Sequence, residues 1–126
     1  MKTYKIQDIS KLLDIPASTL RYYEKIGLIS NLERDPGNKR IYRPEDMQWI
    51  KFLIRLKKTG MSIREMKNYS VLRNGGSSTM SERKNLLEKQ LYKTESEIEN
   101  LQEISEYIKE KIKIYSNNKR IRNLKP

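Results

Sequence analysis

The chain has 126 residues, 36% hydrophobic and 34% charged, with 27 Lys plus Arg against 16 Asp plus Glu and a formal net charge of +11. That length and apolar content suit one small domain with an extension and exclude the large core on which a sizeable catalytic pocket is built. The chain contains no Cys and no His, which removes disulfides, thiolate nucleophiles, imidazole acid–base chemistry and the usual zinc and copper ligands, so no metal, cofactor or enzymatic activity is expected.

Ile6, Ile9, Leu12 and Leu13 recur at helical spacing and predict a short helix over about Gln7 to Leu13, stopped by Asp14-Ile15-Pro16. Pro16 sits where a second helix starts without wasting an N–H, and Leu20, Tyr23 and Ile26 give that helix an apolar side before Gly27 ends it. Two short helices joined by a tight turn make a helix-turn-helix. From Leu28 to Tyr42 the pattern becomes extended around Asp35-Pro36-Gly37-Asn38, with Pro36 suited to the first central position of a turn and Gly37 to a positive φ after it. The return strand of this hairpin carries Lys39, Arg40 and Arg43 interleaved with Ile41 and Tyr42.

Pro44-Glu45-Asp46 opens a third helix, with Met47, Ile50, Leu53, Ile54 and Leu56 as its buried stripe and Gly60 after its end. Ser62-Ile63-Arg64-Glu65 is a capping box, and Ile63, Met66 and Tyr69 form the apolar face of a fourth helix reaching about Leu72. Arg73-Asn74-Gly75-Gly76-Ser77-Ser78 reads as a flexible linker, and Thr79-Met80-Ser81-Glu82 as a second capping box.

Beyond it Leu87, Leu91, Thr94, Ile98, Leu101, Ser105, Ile108, Ile112 and Tyr115 alternate by four and three, all at a or d of a heptad. A helix from Met80 to Tyr115 would run about 54 Å at 1.5 Å per residue, and so narrow a stripe needs a partner helix. With Leu91 at a, the e and g positions hold Glu88, Glu95 and Glu97 early and Lys109 and Lys111 late. In an antiparallel homodimer Glu95 meets Lys109 and Glu97 meets Lys111 in a single register centred near Gln102 to Ile104, whereas a parallel pair leaves Lys111 without an acid. Leu87, Leu91, Ile98, Leu101, Ile108 and Ile112 are therefore the expected dimerisation residues.

The positive charge is local. Residues 1–78 hold 16 basic and 8 acidic residues, residues 79–115 hold 7 and 8, and residues 116–126 hold 4 and none. A basic head on a balanced helix points to a polyanion partner, and nucleic acid suits it better than a membrane surface, which would call for a basic amphipathic helix with Trp, Phe or Leu opposite. No stretch reaches signal-peptide or membrane-span length, so a cytoplasmic location is expected.

Thr19-Leu20-Arg21-Tyr22-Tyr23-Glu24-Lys25-Ile26-Gly27-Leu28, then Gly37-Asn38-Lys39-Arg40-Ile41-Tyr42, then Thr59-Gly60-Met61-Ser62-Ile63-Arg64-Glu65-Met66, closely resemble the MerR family of bacterial transcription regulators. The resemblance covers residues 4–72 in motif order and continues into the dimerisation helix. Asp14 stands where the family usually has Gly, and Pro16 where it usually has a Ser or Thr cap; Asp tolerates the left-handed conformation and Pro suits a helix start, so the fold is compatible with both. The implied fold is mostly α: a winged helix-turn-helix DNA-binding domain over 1–72, a linker over 73–78, a long antiparallel coiled-coil dimerisation helix over 79–115, and a flexible basic tail over 116–126.

The resemblance makes the second helix the recognition helix. Ser18 and Thr19, short and near its start, become the base-edge readers, while Arg21 and Tyr22 bond phosphates; a salt bridge of Arg21 to Glu24 or Glu33 is the alternative for that residue. Tyr23 is assigned to the core. Arg40 and Tyr42 match the family's basic and aromatic wing positions, share one strand face through their spacing of two, and have Lys39 as a phosphate neighbour. Lys57 and Lys58 either form a second wing or complement the dipole of the helix they end. The family implies a homodimer on an inverted repeat within an overlong promoter spacer, bending and untwisting double-stranded DNA so that RNA polymerase engages both promoter elements. The effector, if the protein uses one, is unidentified; a small organic molecule among Trp49 and Tyr69 is weighed against simple core packing. A repressor or DNA bender without activation is the alternative function, and a basic coiled-coil RNA-binding module a more distant one.

Overall fold

The computed structural model describes residues 2–117, so the expected basic tail, apart from Ser116 and Asn117, lies outside the described residues. In chain order the elements are α1 (Ile6–Leu13), α2 (Ala17–Lys25), β1 (Glu33–Arg34), β2 (Arg40–Ile41), α3 (Pro44–Lys58), α4 (Ile63–Asn74), a 3-10 turn over Gly76–Thr79, and α5 (Met80–Asn117). The chain divides into two units, Met1–Leu87 and Glu88–Pro126.

In the first unit α1 packs on α2 and α3 on α4. Asp14 takes the left-handed conformation (φ 51°) that ends α1, and its N–H donates to the Ser10 carbonyl. Pro16 then caps α2 with an extended ψ, so the two helices are joined through Asp14, Ile15 and Pro16 with no glycine. Leu12, expected in the apolar stripe of α1, faces solvent; Ile9 is the fully buried residue of that helix.

The hairpin pairs Glu33 with Ile41 and Arg34 with Arg40 in antiparallel register. The Asn38 N–H donates to the Asp35 carbonyl at 2.8 Å, closing the turn, and the Asp35 carboxylate accepts from the Lys39 N–H at 2.9 Å. The left-handed residue is Asn38 (φ 64°), not Gly37 as expected. Pro36 and Gly37 are the two central residues of a turn of type I, and the chain reverses its twist one residue later, where Asn is tolerated.

Ile9, Leu20, Leu28, Ile29, Tyr42, Ile50, Leu53 and Met66 are the fully buried centre of the core. Two polar contacts meet at the end of α2: the Trp49 indole N–H donates to the Leu28 carbonyl at 2.8 Å, and the Ser70 hydroxyl lies 3.3 Å from the same oxygen. The backbone that follows α2 is thus held by both α3 and α4. The Ser62 hydroxyl accepts from the Glu65 N–H at 3.1 Å, and Glu65 accepts from the Ser62 N–H at 3.3 Å, the expected capping box.

Residues 73–78, expected as a flexible linker, instead carry the end of α4 and most of the 3-10 turn. The Thr79 hydroxyl turns back toward the Leu72 and Gly76 carbonyls instead of capping α5, so the second capping box does not form. Ser78 donates to the Gly75 carbonyl and Arg83 to the Gly76 carbonyl, at 2.9 and 2.7 Å. A β-carbon on Gly75 would sit 2.8 Å from the Thr79 methyl, so glycine serves close packing there, not freedom.

Candidate nucleic-acid interface

The surface of interest starts from the periodicity of α2. Leu20 and Tyr23 point into the core, which turns Ser18, Arg21 and Tyr22 outward; all three are exposed, and Thr19 is half-buried. The Tyr22 ring lies 6.3 Å from that of Tyr23, whose phenol burial raises above its ordinary ionisation range. Arg21 makes no ion pair with any described residue, so the bridge to Glu24 or Glu33 weighed from the sequence is absent. Glu24 is engaged elsewhere: it pairs with Arg40 on β2 and lies 3.4 Å from Arg34 on β1. One carboxylate on α2 therefore holds both strands of the hairpin.

Lys39 is exposed at the tip of the hairpin, and Lys57 and Lys58 are exposed in the last turn of α3. The expectation for Tyr42 is corrected. It is 0% exposed and belongs to the core, so it does not share a surface with Arg40. The alternation that placed them together stops because β2 ends at Ile41; Tyr42 pairs instead with Tyr4, through two backbone hydrogen bonds of 2.8 Å. The same bridge brings the start of the chain beside the hairpin, so that Lys5 and Gln7 line one cleft with Arg21 and Lys39. Neither Lys5 nor Gln7 was singled out by sequence reasoning, because the contact spans nearly forty residues and leaves no local pattern.

At Arg43 the guanidinium is held by the Asp46 carboxylate at 3.1 Å, which pushes its pKa up further and commits it to the start of α3. Trp49 and Tyr69 stack at 5.9 Å, and the Arg73 guanidinium lies 4.3 Å from the Trp49 ring centre; both rings are buried, as core packing requires. No group of carboxylates able to hold a metal occurs among the described residues.

In α5, Leu91, Ile98, Leu101, Ile108 and Ile112 are exposed by 51–63%. Leu87 differs: it is half-buried and packs on the core of the first unit, because the first turns of α5 complete that core. Lys109 and Lys113 pair within the helix with Glu106 and Glu110, at 3.2 and 3.5 Å, between exposed side chains. No helix among the described residues is long and apolar enough to cross a membrane.

The chain matches the family described as MerR HTH family regulatory protein over residues 4–70, and that described as MerR, DNA binding, over residues 47–111. It is 32% identical over 123 residues to an uncharacterized HTH-type transcriptional regulator of Haemophilus influenzae, covering 98% of this chain and 91% of that one. Among solved structures it is similar to HiNmlR, a MerR family regulator lacking the sensor domain, bound to promoter DNA, with a TM-score of 0.85, 32% identity and 94% of each chain covered. A putative MerR family transcriptional regulator from Listeria monocytogenes gives a TM-score of 0.86 and 32% identity over 91% of this chain and 87% of that one.

Proposed function

The chain belongs to the MerR family of HTH regulatory proteins, and from that premise we propose that it regulates transcription as an antiparallel homodimer on an inverted-repeat promoter site. The observation that carries this reading is the outer face of α2, where Ser18, Arg21 and Tyr22 stand exposed and Arg21 has no acidic partner among the described residues. An unpaired guanidinium beside a short hydroxyl is the pairing that fixes register on a phosphate while a base edge is read. Two such faces, held apart through α5, impose a separation on their half-sites. The cost of bending and untwisting the DNA between them then depends on its sequence, and RNA polymerase is the partner served by that change in shape. HiNmlR, a MerR family regulator lacking the sensor domain, is seen bound to promoter DNA; its likeness supports the DNA-binding reading.

Selection of bound fragments from a random duplex pool tests the reading. A palindromic consensus with two half-sites is expected, and equal affinity for selected and random duplex would refute it. In vitro transcription from a long-spacer promoter carrying that site separates activation from simple repression or bending.

Arg21→Ala should weaken binding to selected and random duplex alike and flatten the salt dependence of log K by about one per protomer; an unchanged slope in an anisotropy titration removes Arg21 from the phosphate contacts. Glu24→Gln should act in the opposite sense. It releases Arg34 and Arg40 from their shared carboxylate, so random-duplex affinity rises and the slope steepens, while preference for the selected site falls. Weaker random binding by Glu24→Gln would contradict this role.

A further inference from the structure

The stretch before α1, the recognition helix and the wing meet around a cleft of about 280 Å³ lined by Lys5, Gln7, Arg21, Asn38, Lys39 and Arg40. Water takes about 30 Å³ each in the liquid, so the space holds a phosphate group with its ester oxygens. Four of the lining side chains are cationic and none is a carboxylate. The carboxylates that touch lining residues are engaged: Glu24 is committed to Arg40 and Arg34, and Asp8 and Asp35 accept the backbone N–H groups of Lys5 and Lys39 at 2.9 Å. Lys5, Arg21 and Lys39 are left without an ion pair among the described residues.

Three free cations from separate elements facing one concavity repel each other, and an anion relieves that repulsion. The elements are fixed in place around it: the paired Tyr4–Tyr42 hydrogen bonds of 2.8 Å tie the first stretch to the wing, and Glu24 ties the wing to α2. Gln7 and Asn38 add amide N–H groups, so the lining offers donors of both kinds. Arg21 stands one helical turn from Ser18, which places the concavity beside the reading position and not on a remote face.

We propose that this cleft seats one backbone phosphate of each half-site, with Lys5 as its third cation. The first stretch of the chain then grips the duplex together with the recognition helix and the wing. This rests on the DNA-binding reading above and adds a contact to it.

The test uses the full chain with Lys5→Gln and Lys5→Arg, a random duplex and the selected duplex, and a set of selected duplexes carrying one neutral methylphosphonate at each backbone position. The Lys5 side chain is exposed, and its local hydrogen bond uses the backbone N–H, which donates to the Asp8 carboxylate at 2.9 Å; both variants should melt with the wild type. Lys5→Gln should flatten the salt slope by about one per protomer, and Lys5→Arg should restore it. One methylphosphonate position per half-site should weaken the wild type more than it weakens Lys5→Gln, in which Arg21 and Lys39 still face that phosphate. An unchanged slope, or losses that add at every position, overturns the seat. Saturation by inorganic phosphate alone below millimolar concentration would make the cleft a free-anion site and overturn it equally. If the wild type prefers no duplex at all, the DNA-binding reading falls; if it does and only Lys5→Gln behaves as wild type, the seat alone falls.

Discussion

Leu101→Asp is expected to give a folded monomer that has lost its hold on a two-half-site duplex. Leu101 is 63% exposed and lies near the centre of the seam, and α5 is the only described element of its unit, so nothing in that unit covers it. Burying a leucine is worth about 1.5–3 kcal/mol, and a symmetric antiparallel pair buries this one twice. The substitution removes both contributions and brings two carboxylates toward each other near the two-fold axis, where desolvation and like charge add to the loss. A loss of about 3–6 kcal/mol is a 10²–10⁴-fold weaker dimer at 1.4 kcal/mol per decade. DNA affinity falls with it, because linkage of two heads is worth about 10²–10⁴ in avidity. Light scattering reads the mass, circular dichroism the retained helices, and anisotropy the binding; a surviving dimer would refute the seam.

The charges beside the seam set orientation more than strength. The proposed Glu95–Lys109 contact between chains competes with the 3.2 Å pair that Lys109 makes with Glu106 on its own helix. Each exposed pair is worth well under about 1 kcal/mol, so the exchange is close to even, and in the proposed dimer the five half-exposed apolar residues carry the association. The helix and its exposed stripe were legible in the sequence because a 3–4 repeat is a local periodicity that a helix preserves over its whole length; the partner helix is the proposal. Leu87 satisfied the same repeat, but periodicity cannot tell a partner helix from the helix's own head, and its side chain went to the core of the first unit.

The same contrast separates what was legible elsewhere. The Ser62–Glu65 box, the left-handed Asp14 and the proline start of α3 are satisfied within four residues, and each was readable. The 73–78 stretch looked flexible from Gly and Ser alone, yet Ser78, Thr79 and Arg83 spend their donors on the carbonyls that such a stretch leaves open. Of the interface, the exposed face of α2 followed from the positions of Leu20 and Tyr23. The partner of Glu24 and the approach of Lys5 depend on the hairpin and on the Tyr4–Tyr42 bridge, which join residues far apart in the chain.

Tyr42 gives the largest expected effect on stability, and two substitutions there separate packing from DNA contact. Its ring is fully buried in the core, so Tyr42→Ala should cost about 3–5 kcal/mol, much of the roughly 5–15 kcal/mol that stabilises a small domain. Its phenol oxygen is buried with no hydrogen-bond partner among the described residues, and such a group costs free energy when taken from water. Tyr42→Phe should therefore match or exceed the wild type in urea denaturation at neutral pH and keep the full salt slope on DNA. Burial pushes the phenol above the ordinary tyrosine value, against a smaller opposing pull from Arg40. As pH rises past about 10, the unfolded phenol loses its proton while the folded one keeps it, so stability falls in that window. Tyr42→Phe should soften that alkaline loss without abolishing it, because Tyr23 is shifted upward by burial as well. A Tyr42→Phe variant less stable by more than about 1 kcal/mol, the scale of one satisfied hydrogen bond, or one with a flattened salt slope, would return the hydroxyl to a working contact.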